Sequence, residues 1–180
     1  MANPVDTAIS IVRRRSLRRG ASKVPTGILP LSQIHSAIAL IDVEDTSFDQ
    51  CKNLILTFFR RYNIHIELFF LDFRRLGEGE RLITSINGTI LKKDLNWFGR
   101  PSDEKLRLLG MCEPDLLISA IRQKDYAYEY IVASSTARFK VGRKQLPGDL
   151  FDVVLSEPDD KILSEADAFD HLSKLLEKIR

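Results

Sequence analysis

Residues 37–42 read Ala37-Ile38-Ala39-Leu40-Ile41-Asp42, five consecutive apolar side chains that stop at a carboxylate. A strand with one wet face alternates apolar and polar residues. An unbroken apolar run has no wet face, so this segment reads as a strand covered on both sides. Covering both sides takes a layer of helices above and below, which points to an α/β fold and away from sandwiches and all-α bundles. Downstream, Ser47 and Gln50 have the spacing of a capping box, and Phe48, Cys51, Ile55, Phe58, Phe59 and Tyr62 follow as a helical stripe. A second apolar run, Ile66-Glu67-Leu68-Phe69-Phe70-Leu71, again ends at a carboxylate, Asp72.

The alternation continues along the chain. A charged loop spans 74–81. Residues 82–91 hold Asn87-Gly88 between two β-prone runs, which reads as a hairpin or as a loop entering one strand at Thr89-Ile90-Leu91. Ser102 is placed to cap a helix through Leu109 and Met111, Pro114 stops it, and residues 115–119 form the next strand. A helix over 126–136, strands at 138–142 and 151–155, and a terminal helix opened by Ser164 complete the order. The succession β-α-β-(β)-α-β-α-β-β-α predicts a three-layer, Rossmann-like α/β domain with a mainly parallel sheet over residues 36–180.

Upstream of that domain the composition changes. Residues 1–19 read as a basic helix or arm, with Val5, Ala8, Ile9 and Val12 on one face, and residues 20–35 as a linker rich in Gly, Ser and Pro. The chain of 180 residues has a net charge of only +2, but the charge is unevenly spread. Residues 1–41 hold six basic residues and one acid, a net +5, whereas the remainder holds 21 basic and 24 acidic residues, a net −3. Arg13, Arg14, Arg15, Arg18 and Arg19 fall within seven positions. Such a cationic arm attracts RNA, DNA or an anionic membrane, and its short apolar face argues against membrane anchoring. The bland alternative is a helix packed on the acidic body.

Several chemistries are excluded. Two isolated cysteines with no CxxC pair indicate neither a disulfide scaffold nor a zinc knuckle, and the three histidines are scattered. No apolar segment nears the roughly 20 residues needed to span a bilayer, and the N-terminus lacks a signal-peptide core, although its Arg-rich character resembles a transit peptide. Asp42-Val43-Glu44-Asp45-Thr46 contains no glycine, so neither dinucleotide fingerprint nor P-loop follows the first strand, and its carboxylates would repel phosphate. No serine stands in GxSxG. No cofactor is expected.

Three constellations remain. Asp42 and Asp45 after the first strand, and Asp72 after the second, lie where α/β sheets bind ligands; they are candidates for acid–base or metal chemistry, or plain loop carboxylates and caps. Arg138, Lys140, Arg143 and Lys144 could hold an anion, although the alternation from Arg138 to Val141 reads more simply as a charged edge strand. Trp97 and Phe98, in Asp94-Leu95-Asn96-Trp97-Phe98-Gly99, form either a partner or base-stacking surface or, the favoured reading, a loop anchored by folding both rings onto the core.

The segments Asp94–Gly99, Asp115–Ile118 and Ser134–Gly142 (SSTARFKVG) together resemble an uncharacterised bacterial family, best known from Bacteroidota, that carries a domain of unknown function. The resemblance implies a bacterial cytoplasmic protein and supplies no activity. Residues 115–118 and 137–142 also look like the end of the N-terminal half of heptosyltransferase-like glycosyltransferases. There the fold analogy carries over and the catalysis does not, because the glycine-containing loop and the second domain are missing. The expected role is therefore non-enzymatic: binding a macromolecule, RNA or a ribonucleoprotein above all, through the basic arm, or a protein partner through Trp97 and Phe98. The alternative is an enzyme holding a phosphate- or sugar-containing ligand at the strand ends. Oligomeric state leaves no mark in the sequence.

Overall fold

The apolar run at 37–42 lies at the centre of the sheet. In the computed structural model, which describes residues 4–74, 84–85, 87–110, 113–122, 125–155, 157 and 163–180, it forms β1 (Ser36–Asp42). β1 pairs in parallel with β2 (His65–Asp72) on one side and β4 (Leu116–Ser119) on the other. β3 (Thr89–Leu91), β5 (Phe139–Gly142) and β6 (Val153–Val154) extend it to six parallel strands in the order β3-β2-β1-β4-β5-β6. The predicted Rossmann-like α/β class is what the chain adopts.

Alternation along β1 divides the core. Ala37, Ala39 and Ile41 meet the apolar faces of α2 (Phe48–Arg61) and α5 (Glu165–Lys178). Ile38 and Leu40 face α3 (Asp103–Gly110) and α4 (Tyr126–Ser134). A further helix, α1 (Pro4–Gly20), packs on α4. Three rings lock α2 to α5, with Phe58 edge-on to Phe59 at 5.2 Å and to Phe169 at 6.0 Å.

Two of the three serines predicted to cap helices do so. Ser102 accepts from the Lys105 N–H (3.4 Å) and Ser164 from the Asp167 N–H (3.1 Å), as N-caps do. Ser47 stands at the N-cap of α2, but its side chain does not cap that helix. Its hydroxyl instead donates to Asp45 and accepts from the Ala166 N–H (3.0 Å), closing the first turn of α5. The strand expected over 151–155 shrinks to Val153–Val154, because Phe151 turns inward beneath Gly142, where a Cβ would stand 2.4 Å from its ring. Strand β5, read as an edge, lies between β4 and β6. The hairpin at 82–91, the loop at 74–81, the helix end at Met111 and the second thiol, Cys112, rest on residues outside those described.

Candidate functional site

Strand order reverses between β1 and β4, and in open α/β sheets the crevice beyond that point is where ligands sit. Three chain segments and three helix starts meet there. Asp42 ends β1, Asp45 and Ser47 lead into α2, Ser119 ends β4, Asp125 caps α4, and Glu165 opens α5. The carboxylates engage the backbone themselves: Asp42 accepts from the Glu44 N–H (2.9 Å), Asp125 from the Tyr128 N–H (2.7 Å), and Glu165 from the Asp42 N–H (3.3 Å). Beneath them the fully buried Tyr128 hydroxyl bonds Ser119 Oγ at 2.9 Å.

Burial dominates the electrostatics of this crevice. Glu165 is 2% exposed, and desolvation, reinforced by Asp42 and Asp45, pushes its carboxyl up to about 8. Desolvation also raises Asp42, with Glu44, Asp45 and Asp125 adding to the shift, and it raises Asp125. Burial lifts the neighbouring Cys51 thiol to about 12, so it is inert as a nucleophile at neutral pH. The crevice thus holds a protonated acid among carboxylates that accept from backbone N–H groups of the chain itself. Among the described residues, no group of three or more His, Cys, Asp or Glu side chains could hold a metal ion.

Of the sequence candidates, Asp42 and Asp45 gather here with Arg143. Arg143 is fully engaged: it pairs with Glu157 and donates to the carbonyls of Leu163 (2.5 Å) and Ala120 (3.4 Å). Asp72 lies elsewhere. Asp42 pairs in register with Leu71, so Asp72 points to the opposite face, where Arg74 holds it in a two-point ion pair and lowers its carboxyl. Arg138 is at the other end of the sheet, against Asp115. Lys140 is buried under α4, where Nζ donates to the Val132 carbonyl (2.8 Å) in the last turn; desolvation brings it down to about 8. Lys144 is exposed. The four cations therefore do not embrace one anion. Glu165 and Asp125 were not singled out in the sequence, where nothing local distinguishes them from ordinary first-turn acids.

A second constellation forms on the outer side of α4. Tyr126 and Tyr130, one turn apart, face α1 rather than the core. Tyr126 donates to the Arg13 carbonyl (3.1 Å) with the Arg13 guanidinium 5.1 Å over its ring, and Arg100 lies 5.2 Å over Tyr130 while donating to its hydroxyl (3.0 Å). Gly20 closes the contact, because a Cβ there would stand 2.0 Å from the Tyr130 oxygen. The docked stripe is Ile9, Val12, Arg13, Ser16, Leu17 and Gly20; Val5 and Ala8, expected on the apolar face, are exposed.

The aromatic loop joins this surface. Arg13 Nε donates to the Phe98 carbonyl (2.7 Å), and Phe98 folds against Tyr126 at 6.1 Å. Asn96 organises the turn, its side chain accepting from the N–H groups of Phe98 (3.2 Å) and Arg100 (2.9 Å), and Gly99 takes the φ of +93° that the turn needs. The two rings divide: Phe98 is half-buried, whereas Trp97 is 74% exposed, correcting the expectation that both would fold inward. Arg15, Arg19, Arg100 and Phe98 line a cleft of about 570 Å³, which meets a second of about 750 Å³ at Gly20, Arg100 and Tyr130. Arg14, Arg15, Arg18 and Arg19 are exposed and take part in none of the ion pairs among the described residues.

The model of a family of unknown function, DUF6913, matches residues 11–179, which spans the second half of α1 and every element of the α/β body. No curated protein matches the sequence.

Proposed function

The chain belongs to this family of unknown function, and we propose that it acts by binding RNA, free or within a ribonucleoprotein, through the arginine face of α1. The observation that carries the reading is the set of four exposed arginines that form no ion pair among the described residues, held on a docked helix beside a body of opposite net charge. Cations left unpaired by their own protein are free to displace counterions from phosphates, and helical placement fixes their spacing. A bacterial cytoplasmic setting belongs to the same reading. No helix among the described residues is long and apolar enough to cross a membrane.

The test is the salt dependence of RNA affinity for the full chain and for a variant with Arg14, Arg15, Arg18 and Arg19 each changed to Gln. Four lost phosphate contacts on a single strand lower the log–log salt slope by about 3. At moderate salt this weakens binding by roughly two to three powers of ten. Binding that ignores both salt and the four substitutions overturns the reading.

A second reading rests on Glu165, since a neutral carboxyl beside Asp42 at the switch point has the character of a general acid. It would make the protein an enzyme for a phosphate- or sugar-containing ligand, in keeping with the remote likeness to heptosyltransferase-like enzymes. Thermal stabilisation by nucleotide-sugars separates the two.

A further inference from the structure

We propose that the RNA bound by this protein is single-stranded, and that one unpaired base stacks on Trp97 while its flanking phosphates enter the cleft beside Arg15 and Arg19. The inference rests on the reading of α1 as an RNA-binding helix and adds the ligand's strandedness and the group that senses it.

Three observations converge. Trp97 is the largest aromatic side chain in the molecule and shows most of its surface to solvent while it packs edge-on against Phe98 (5.1 Å). An indole exposed in this way stabilises the fold little, so packing does not explain its position. The loop beneath it is nonetheless tightly built. The Asn96 N–H donates to the Arg100 carbonyl (2.9 Å), the Gly99 N–H to the Asn96 carbonyl (2.9 Å), and Leu95 bridges to Pro101. A ring held in place before the ligand arrives costs little ordering entropy on binding. Finally, the Arg13–Phe98 bond ties that loop to the helix whose next turns carry Arg15 and Arg19. Stacking face and phosphate cleft are thus parts of one rigid surface.

The chemistry selects the strand. Every base has a π-face, and a flat indole accepts any of them, but a duplex hides those faces within its own stack. Arginines alone hold either form through the backbone. The stacking platform is what adds preference for an unpaired strand.

Because the chain holds a single tryptophan, its fluorescence reports this one position. The experiment titrates the full chain with a single-stranded oligoadenylate RNA and with an RNA duplex of equal length, reading tryptophan emission and the anisotropy of labelled RNA. The proposal expects emission to be quenched by the single strand and not by the duplex. It expects Trp97→Ala to weaken single-strand binding about tenfold, with duplex binding unchanged and Trp97→Phe restoring most of the loss. Salt-sensitive RNA binding with unmoved emission, or equal losses for both forms in Trp97→Ala, overturns the stacking role and leaves the arginine reading standing. Absence of salt-sensitive RNA binding overturns both. A nuclease-resistant protein partner that depends on Trp97 assigns the ring to a protein surface and likewise overturns the inference.

Discussion

The crevice at the carboxyl ends of the strands and the outer surface of α1 are opposites in how they treat their own charges. In the crevice, Asp42, Asp125 and Glu165 turn back onto the backbone, and Arg143 is consumed by Glu157 and two carbonyls. On α1, four arginines reach outward and take part in no ion pair among the described residues, and the Trp97 indole of the neighbouring loop is likewise turned to solvent. Helix N-termini in sheets of this order are ready-made anion sites, yet here Asp125 caps α4 and the hydroxyls of Ser164 and Ser47 engage the first turn of α5. The difference teaches that fold position alone does not make a ligand site. What matters is which groups the chain leaves unsatisfied, and those are on α1.

Glu165 gives the sharpest way to break this comparison, and the largest expected effect. Folded, its carboxyl holds a proton up to about pH 8, whereas it ordinarily releases it near 4.5. Its raised value therefore contributes stability that is full below about pH 4.5 and lost as pH rises through 8. Glu165→Gln keeps the acceptor for the Asp42 N–H and removes the titration. Chemical denaturation from pH 5 to pH 8 should show the parent losing on the order of 3 kcal/mol more than the variant, with RNA affinity alike in both at pH 6. A parent whose stability rises with pH across this window, or a variant with the same fall, would mean that the crevice is open to water and able to take a ligand.

Much of the crevice was beyond reach of the sequence for a physical reason. Periodicity and caps are local, so β1, α2, β2 and the Ser102 and Ser164 starts could be read from a few neighbours. Glu165 meets Asp42 across 123 positions, and Ser47 closes the helix that begins at Glu165. Such meetings follow from strand order and register, which apolar runs do not specify. The same limit misplaced Lys140 and Arg138. Their alternation is that of a half-exposed strand, but adding β6 made β5 interior, and the Lys140 amine was taken up by the last turn of α4. The arm was more legible, since a cluster of five arginines is a compositional fact. Its docking was not, because the decisive contact is one missing Cβ at Gly20 against Tyr130.

Gly20 sharpens the other half. In Gly20→Ala the added Cβ falls 2.0 Å from the Tyr130 oxygen and 2.5 Å from its ring carbon, and Tyr130 has little room to yield because it is buried and bonded to Arg100. The C-terminal turn of α1 must lift from α4. Overpacking of this kind costs about 2 kcal/mol, offset by a few tenths from the better helix propensity of alanine. Limited proteolysis should release the N-terminal segment faster while the α/β body stays intact. RNA affinity should fall with the total charge unchanged, since the arginines lose their fixed relation to Trp97. Unaltered proteolysis and affinity would mean that the arm works as a free tether and the docked arrangement is incidental.

The smallest effect belongs to Arg13, the one arginine of the cluster that faces inward. Its Nε–H bonds the Phe98 carbonyl and its plane lies over Tyr126, so it acts by positioning the loop rather than by meeting phosphate. Arg13→Lys preserves the charge and loses the planar guanidinium that makes both contacts at once, a change worth about 1 kcal/mol. Two readouts separate positioning from charge. Amide exchange at Phe98, Gly99 and Arg100 should accelerate several-fold, and single-strand affinity should fall about threefold with the salt slope intact. The opposite pattern, a reduced slope with exchange unchanged, would count Arg13 among the phosphate contacts. The division would then lie not between one inward arginine and four outward ones but between the whole helix and the crevice, whose single buried arginine is spent on the fold.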